Sequence, residues 1–409
     1  MNPRLRFKRE DGTDYPDWEE KNLGEVAKIS TGYAFKNSDY CKNGEFLVIT
    51  NANIQDNDYQ VLNNVGNRIN LLDKYSKYIL NKNDILVTMD GTVGRVAKVC
   101  DDKMLLAQRV GRVVSSSIYN EYLFQFLSSN IFYTEMKNNA KGAMIAHISL
   151  RDIENCPVFL PCLEEQKKIA DFLSDIDEVI LASNQEVKKL QELKKGAMQK
   201  IFSQKVRFKR DDGTDYPDWE EKKLTDYLEF KNGINANRDS FGTGIKLISV
   251  SDILNNDYIT YDVIRNKINI DEKTKQLYEV NYGDILFQRC SETLEEAGSA
   301  NVYLDTQKAV FGGFVIRGKK IGEYNPIFFN HLLKSSSVRM EIKKKAQGAQ
   351  HINIGQDLLS TIFFFIPCLE EQEKIGDFLS DFDEAISLAK QEFEKWKLLK
   401  KGILQQMFV

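Results

Sequence analysis

Apolar positions along the chain follow two rhythms. In one, they recur every three or four residues: Ile169, Phe172, Leu173, Ile176, Val179, Ile180, Val187, Leu190, Leu193, Ala197 and Ile201. The rhythm returns at Ile375, Phe378, Leu379, Phe382, Ala385, Ile386, Ala389, Phe393, Trp396, Leu399, Ile403 and Met407. That spacing lays one stripe along an α-helix. The first stretch meets no Gly or Pro between Pro161 and Gly196. A helix of ~40 residues would be ~60 Å long, which exceeds the usual globular helix and points to helix-on-helix pairing. The other rhythm is short: Phe46–Thr50, Ile85–Thr88, Arg95–Val99, Val110–Val114, Ile285–Phe287 and Phe314–Ile316 are β-branched or aromatic runs bounded by Gly, Asn or Asp, the pattern of strands. "YNEYLFQFL" and "NPIFFNHLL" read as helices opened by an Asn cap, the second with Pro in its first turn.

The chain also repeats itself. "PCLEEQKKIADFLSDIDEVI" (Pro161–Ile180) returns as "PCLEEQEKIGDFLSDFDEAI" (Pro367–Ile386), and "RFKREDGTDYPDWEEKNL" (Arg6–Leu23) returns as "RFKRDDGTDYPDWEEKKL" (Arg207–Leu224). Two halves, Met1–Phe202 and Ser203–Val409, thus share their flanks and differ in their middles. Ile85-Leu86 matches Ile285-Leu286, and Tyr119–Ser129 matches Tyr324–Ser336, while the loops between them match loosely. The expected class is α+β: two mixed α/β domains at 1–160 and 204–366, joined by two long helices at 161–203 and 367–409, with a pseudo-two-fold internal repeat. Each helix stretch begins acidic (Glu164, Glu165, Asp171, Asp175, Asp177, Glu178; Glu370, Glu371, Asp377, Asp381, Asp383, Glu384) and ends basic (Lys188, Lys189, Lys194, Lys195, Lys200; Lys395, Lys397, Lys400, Lys401). Each helix's own dipole accounts for such a gradient. Packing the two as an antiparallel coiled coil would also bring each acidic end against the other's basic end. The repeated segments then read as a spacer and the divergent middles as what it holds apart.

With 409 residues, 42% hydrophobic and 28% charged, the composition is that of ordinary globular protein with room for two or three domains. No apolar run is long enough to span a bilayer, and no basic-then-apolar leader precedes the first domain, so a cytoplasmic protein is expected. The six cysteines form no C-x-x-C pair and have no nearby His; reduced thiols are expected and metal is not. A net charge of −4 argues weakly against nucleic acid, although only a contacting face must be basic.

Few catalytic motifs are present. Asn325-Pro326-Ile327-Phe328 lacks the second Pro of an adenine-gripping N-P-P-[FY] loop, and its counterpart Asn120-Glu121-Tyr122-Leu123 has none; both read as helix starts. No Gly-rich strand-to-helix fingerprint is present to cradle a nucleotide. "PDWEEK" (from Pro16 and again from Pro217) holds carboxylates too close along the chain to converge on a metal. It reads as a Pro turn with Trp18 or Trp219 anchoring the domain. "GTGIK" (Gly242–Lys246) lacks the phosphate-loop frame, and His147, His331 and His351 have no metal-ligand spacing.

The two "PCLEEQ" segments, "GDIL" at Gly283–Leu286 with "NDIL" at Asn83–Leu86, and the two "YPDWEEK" entries resemble the specificity subunits of type I restriction–modification enzymes. The resemblance spans essentially the whole chain. It implies that each divergent middle is a target recognition domain reading one half of a split site in double-stranded DNA, and that the helices fix the gap, near one helical turn or ~34 Å. It further implies two methyltransferase subunits carrying S-adenosylmethionine, restriction subunits using ATP and Mg, and no cofactor or catalysis on this chain. The alternatives are a coiled-coil scaffold that binds proteins, and a stand-alone DNA methyltransferase or nuclease.

Under the DNA reading, loops that keep their place but change their residues are the candidate base readers, since Arg reads guanine, Asn and Gln read adenine, and Thr meets the thymine methyl. In the first domain these are Tyr33, Phe35, Lys36, Asn51, Asn53, Thr88, Asp90, Thr92, Arg95, Gln108, Arg109, Lys141, His147 and Ser149. In the second they are Asn232, Asn235, Asn237, Arg238, Ser249, Ser251, Gln288, Arg289, Ser291, Thr293, Gln347, Gln350, His351 and Asn353. His147 and His351 are expected in corresponding loops.

Overall fold

A computed structural model describes residues 3–55, 59–142, 144–235, 238–346 and 352–408. The chain divides into two compact units, Met1–Gln185 with Gln391–Val409, and Glu186–Lys390.

In the first unit an antiparallel sheet runs in the order Ala27–Thr31, Val110–Ser115, Ile85–Thr88, Val96–Lys98. A smaller sheet runs Arg68–Ile69, Phe46–Ile49, Met104–Leu106, the last two strands parallel. The run Ile85–Thr88 is buried throughout because both of its faces are covered. Ile85 and Val87 enter the core under the helices, and Leu86 enters a second core with Leu47 and Ile49. The second unit repeats this plan with Leu228–Asn232, Val315–Lys320, Ile285–Gln288 and Ala300–Val302 in one sheet, and Lys267–Ile268, Phe241–Ile248 and Val310–Phe311 in the other. Ile285 and Phe287 again part from Leu286. The expected strands are present, with ends shifted by a residue or two; the largest shift is the run expected at Phe314–Ile316, which is the strand Val315–Lys320.

Leu163–Phe202 and Leu369–Met407 are each one uninterrupted helix. In the first unit Ile169, Leu173, Ile176 and Ile180 share a core with Leu404, Met407 and Phe408. There Asp177 meets Lys400 at 2.5 Å. In the second unit Lys194 pairs with Asp383. A later residue of the first helix thus takes an earlier residue of the second, which is antiparallel pairing. Among the described residues no helix is long and apolar enough to cross a membrane, and all six cysteines are free thiols.

The repeated flanks close each unit in the same way. Glu165, with no exposed side-chain surface, takes Arg6 Nη2 at 2.7 Å and Trp18 Nε1 at 3.1 Å. Glu371, equally buried, takes Arg207 Nη2 at 2.7 Å and Trp219 Nε1 at 3.2 Å. A buried carboxylate is tolerable only when paired and hydrogen-bonded in this way. The following residues, Gln166 and Gln372, donate to Pro161 O and Pro367 O, each at 2.9 Å. The "YPDWEEK" carboxylates lie on exposed strands, Glu19–Asn22 and Glu220–Lys223, each paired with the strand that precedes a long helix. One expected cap is absent. Asn325 caps Pro326–Lys334 by accepting from Phe328 N at 3.0 Å, but Asn120 sits inside its helix and turns to Asn83 O at 3.2 Å. Gln166 Oε1 accepts from Tyr119 N at 2.9 Å at that helix start.

Candidate nucleic-acid interface

In the first unit the strand Phe46–Ile49 ends in Thr50, which turns the chain into the short 3-10 helix Asn51–Asn53. Asn53 makes the turn. Its Oδ1 accepts from Thr50 N at 2.9 Å, and its amide donates to Leu62 O and Val65 O at 2.9 and 2.8 Å. It is fully buried, so its side chain is spent inside the loop and not offered at the surface. Asn51 stands at the rim and donates to the Asp90 backbone O at 3.0 Å. Thr88 is buried too: it donates to Thr92 O at 2.5 Å and accepts from Arg95 N at 3.0 Å, tying the hairpin on which Thr92 is exposed. Gly94 lets that hairpin close. Its φ is +79°, and a Cβ would lie 3.0 Å from Met136 Cβ.

Asp90 is the centre of this face. Its side chain is 8% exposed, and its two oxygens pair with Arg109 Nη1 and His147 Nδ1, whose side chains are 71% and 57% exposed. A sunken carboxylate therefore holds two outward-facing side chains, one of them the Arg109 guanidinium. His147 is set by a short backbone ladder with Lys141, at 2.8 and 2.9 Å, and by Gly91 N donating to Ala146 O at 2.8 Å. Asn51, Thr88, Asp90, Thr92, Arg95 and Arg109 come together around one hollow of about 410 Å³, with Ile145 on its wall.

The remaining candidates of this unit lie elsewhere. Tyr33 and Phe35 belong to an aromatic cluster with Tyr75 and Tyr78, and Lys74 sits 4.7 Å over the Tyr75 ring. Lys36 is exposed at the next turn, and Gln108 is exposed where its N–H meets Tyr33 O at 2.9 Å. Ser149 caps the helix Leu150–Glu154. Its hydroxyl and N–H donate to Asp152, and these bonds hold that carboxylate below its usual range, with Lys141 and His147 adding to the effect.

In the second unit the same turn is made by Ser249 and Asp252, with Ser249 N and Oγ donating to Asp252 Oδ2 at 2.8 and 2.7 Å. Ser251 is exposed beside it, 2.9 Å from Ser249 Oγ. Gln288 is buried and donates to Cys290 O at 2.9 Å; Ser291 is buried and donates to Thr293 O at 2.9 Å. Both face inward, and Thr293 is exposed. Arg289 is half-buried against Gly313 O at 3.3 Å. Asn353 is exposed and pairs through its backbone with Cys290. Asn235, Ser249 and Ser251 share a hollow of about 560 Å³ with Val250, Asn266 and Phe314. Asn232 is exposed at the end of its strand. Of Arg238 only the backbone of the turn Arg238–Ser240 is described. Asn237, Gln347, Gln350 and His351 lie outside the described residues.

Backbone hydrogen bonds set the two faces in register. Met89 N donates to Arg109 O at 3.2 Å, and Arg289 N to Phe314 O at 2.9 Å. Thr88 N donates to Arg95 O, and Gln288 N to Ser299 O; Ile148 N donates to Met89 O, and Ile354 N to Arg289 O. Arg109 is therefore answered by Phe314, Arg95 by Ser299, and His147 by Asn353, where sequence had matched His147 to His351. The matching turns place Val250 opposite Asn51. Phe314 and Val250 escaped the sequence reading because that reading looked for polar side chains; Asn266 escaped it because it is far from Ser249 along the chain, although its amide donates to Ser249 Oγ at 3.1 Å.

Among the described residues no group of His, Cys, Asp or Glu is placed to hold a metal ion. The family model described as type I restriction modification DNA specificity domain matches residues 15–195 and again 216–395. The type I restriction enzyme MjaVIII specificity subunit of Methanocaldococcus jannaschii is 26% identical over 97% of this chain and 94% of that one. The EcoKI specificity subunit of Escherichia coli K12 is 20% identical over 91% of this chain and 84% of that one. The crystal structure of a type I restriction-modification S subunit from M. genitalium superposes with a TM-score of 0.58 at 15% identity, covering 100% of this chain and 99% of that one. A structure reported for complex assembly and conformational transition of the type I R-M system gives 0.53 at 17% identity, over 96% and 97%.

Proposed function

Since the chain belongs to the type I restriction modification DNA specificity family, we propose that it is the sequence-reading subunit of such a complex, each unit reading one half of a bipartite site in double-stranded DNA. The observation that carries this reading is the registered pair of faces: one backbone skeleton, built twice, with different side chains at matching positions. A second copy kept only for stability would have no reason to exchange Arg109 for Phe314 on an exposed rim. The paired helices set the gap between half-sites and dock two methyltransferase subunits that carry S-adenosylmethionine. Restriction subunits using ATP and Mg complete the complex. The chain itself is non-catalytic and works in the cytoplasm.

Mapping methylated adenines in cells that carry the complex is the direct test. A two-part motif is expected, and lengthening either long helix by whole turns should change its gap and keep its bases. Altered bases would refute this division of labour. A purified chain that methylates or cuts DNA without partners would favour the enzyme alternative.

A further inference from the structure

We propose that Arg109 reads a guanine in one half-site, with Asp90 as its positioning residue, and that the matching position of the second unit, Phe314, does not. The inference rests on the DNA-reading function proposed above and adds the base.

A carboxylate sunk to 8% exposure, like that of Asp90, is costly unless paired. Here both oxygens are used, and both partners reach outward. Three bonds fix the backbone around Asp90: its O accepts from Asn51 Nδ2, and its bridge to His147 is made by Gly91 N donating to Ala146 O and Ile148 N donating to Met89 O. Such an anchor restrains the Arg109 guanidinium through one nitrogen and leaves the rest of the fork at the mouth of a hollow. A guanidinium held in this way matches the paired O6 and N7 acceptors of guanine in the major groove. A group meant only to neutralise phosphate needs no such restraint. Thr92 stands exposed on the same rim to meet the neighbouring base. In the second unit the position that answers Arg109 carries Phe314, 68% exposed, with Cys290 in the place of Asp90, so that position offers guanine no fork.

The test is selection of bound sites from randomised duplexes by the complete complex, repeated with R109K, R109Q and D90N. With the natural chain, one half-site should contain an invariant guanine. R109K keeps the charge but not the fork, so it and R109Q should each lower the preference for that guanine by roughly tenfold or more. The other half-site should be unchanged, which also shows that the variants fold. D90N should weaken the same preference at the same position and leave overall affinity for random DNA intact, an effect that simple destabilisation would not give. An unchanged motif with R109Q, full retention by R109K, or a loss at a base other than guanine would overturn the inference and leave the recognition function standing. A natural complex that selects no two-part motif would overturn both.

Discussion

The two units are alike in their closures and unlike at their rims. At the closures Arg6, Trp18 and Glu165 repeat as Arg207, Trp219 and Glu371, with bond lengths that agree to within about 0.1 Å between the main contacts. At the rims Asp90, Arg109, His147 and Asn51 face Cys290, Phe314, Asn353 and Val250 at matching places. What must hold the skeleton is kept, down to a buried ion pair that an apolar pair would often replace without loss. What touches the outside is free to differ. The difference teaches that likeness of fold and likeness of recognition are carried by separate residues within one unit.

The sharpest way to break the comparison is at the closures. Glu165→Ala takes the buried carboxylate from the Arg6 guanidinium and the Trp18 indole N–H, leaving Arg6 its bonds to Tyr15 O and Pro16 O, and Glu371→Ala takes it from Arg207 and Trp219, leaving Arg207 its bonds to Tyr216 O and Pro217 O. Each should cost about 3–5 kcal/mol, the usual penalty for stranding a buried charge. Denaturant unfolding of the two variants should give losses equal within about 1 kcal/mol. A markedly unequal pair would show that the matching geometry hides different energetics.

The second break lies in the long helices, where the likeness is partial. Lys400 pairs with Asp177 in the first unit and Lys194 with Asp383 in the second. Asp177 also accepts from Gln125 at 2.7 Å, while Asp383 accepts from both Tyr258 at 2.5 Å and His331 at 3.1 Å. Those donors hold the Asp383 carboxylate well below its usual range against the opposing effect of burial. Removing the lysine should therefore hurt the first unit more. Lys400→Met should cost about 2–3 kcal/mol and Lys194→Met about 1 kcal/mol, since Asp383 keeps two donors. Hydrogen exchange on each variant localises the loss to its own unit, and the reverse order would refute the sharing of charge at Asp383.

Sequence made the skeleton readable because period and repetition survive without coordinates. The β-branched and aliphatic run Ile85–Thr88 and the stripe from Ile169 to Ile201 each named an element, and the charge gradients foretold which ends of the helices meet. The rim was readable only in part. Asn51 and Asn53 are two residues apart and chemically identical, yet one reaches out of its loop to the Asp90 backbone and the other is the peg of that loop. Nothing in composition separates them, because the distinction lies in which way an irregular backbone turns. Thr88 and Asp90 are both buried, yet one ties its own hairpin and the other holds Arg109 and His147. The match of Arg109 to Phe314 was hidden for a different reason. It is made by main-chain bonds between segments whose side chains share nothing, so no comparison of letters would align them.

The smallest predicted effect concerns the position where Gln125 of the first unit is replaced by His331 in the second. Both side chains donate to the aspartate of the helix ion pair. His331 is 2% exposed, and its Nδ1 is buried without a partner. Protonation would give that nitrogen a proton with no acceptor. Burial accordingly pushes the His331 pKa down; the bond to Asp383 opposes this, and the nearby cations Lys194 and Lys334 add to the depression. Burial brings Lys334 itself down to about 8, so it stays largely charged in acid, while the Tyr258 hydroxyl is pushed up and stays neutral. With the folded value below the unfolded one, the unfolded chain binds more protons as pH drops past ~6.5, and stability falls with it. The second unit should lose no more than about 1 kcal/mol between pH 6.5 and 5.5 through this group. His331→Gln should flatten that slope in hydrogen-exchange stabilities of the second unit. Gln125→His should carry the same acid sensitivity into the first, where the histidine would meet Asp177, Lys400 and the Glu121–Lys98 pair. If the slope fails to follow the histidine from one unit to the other, the two environments differ in more than the residue exchanged between them.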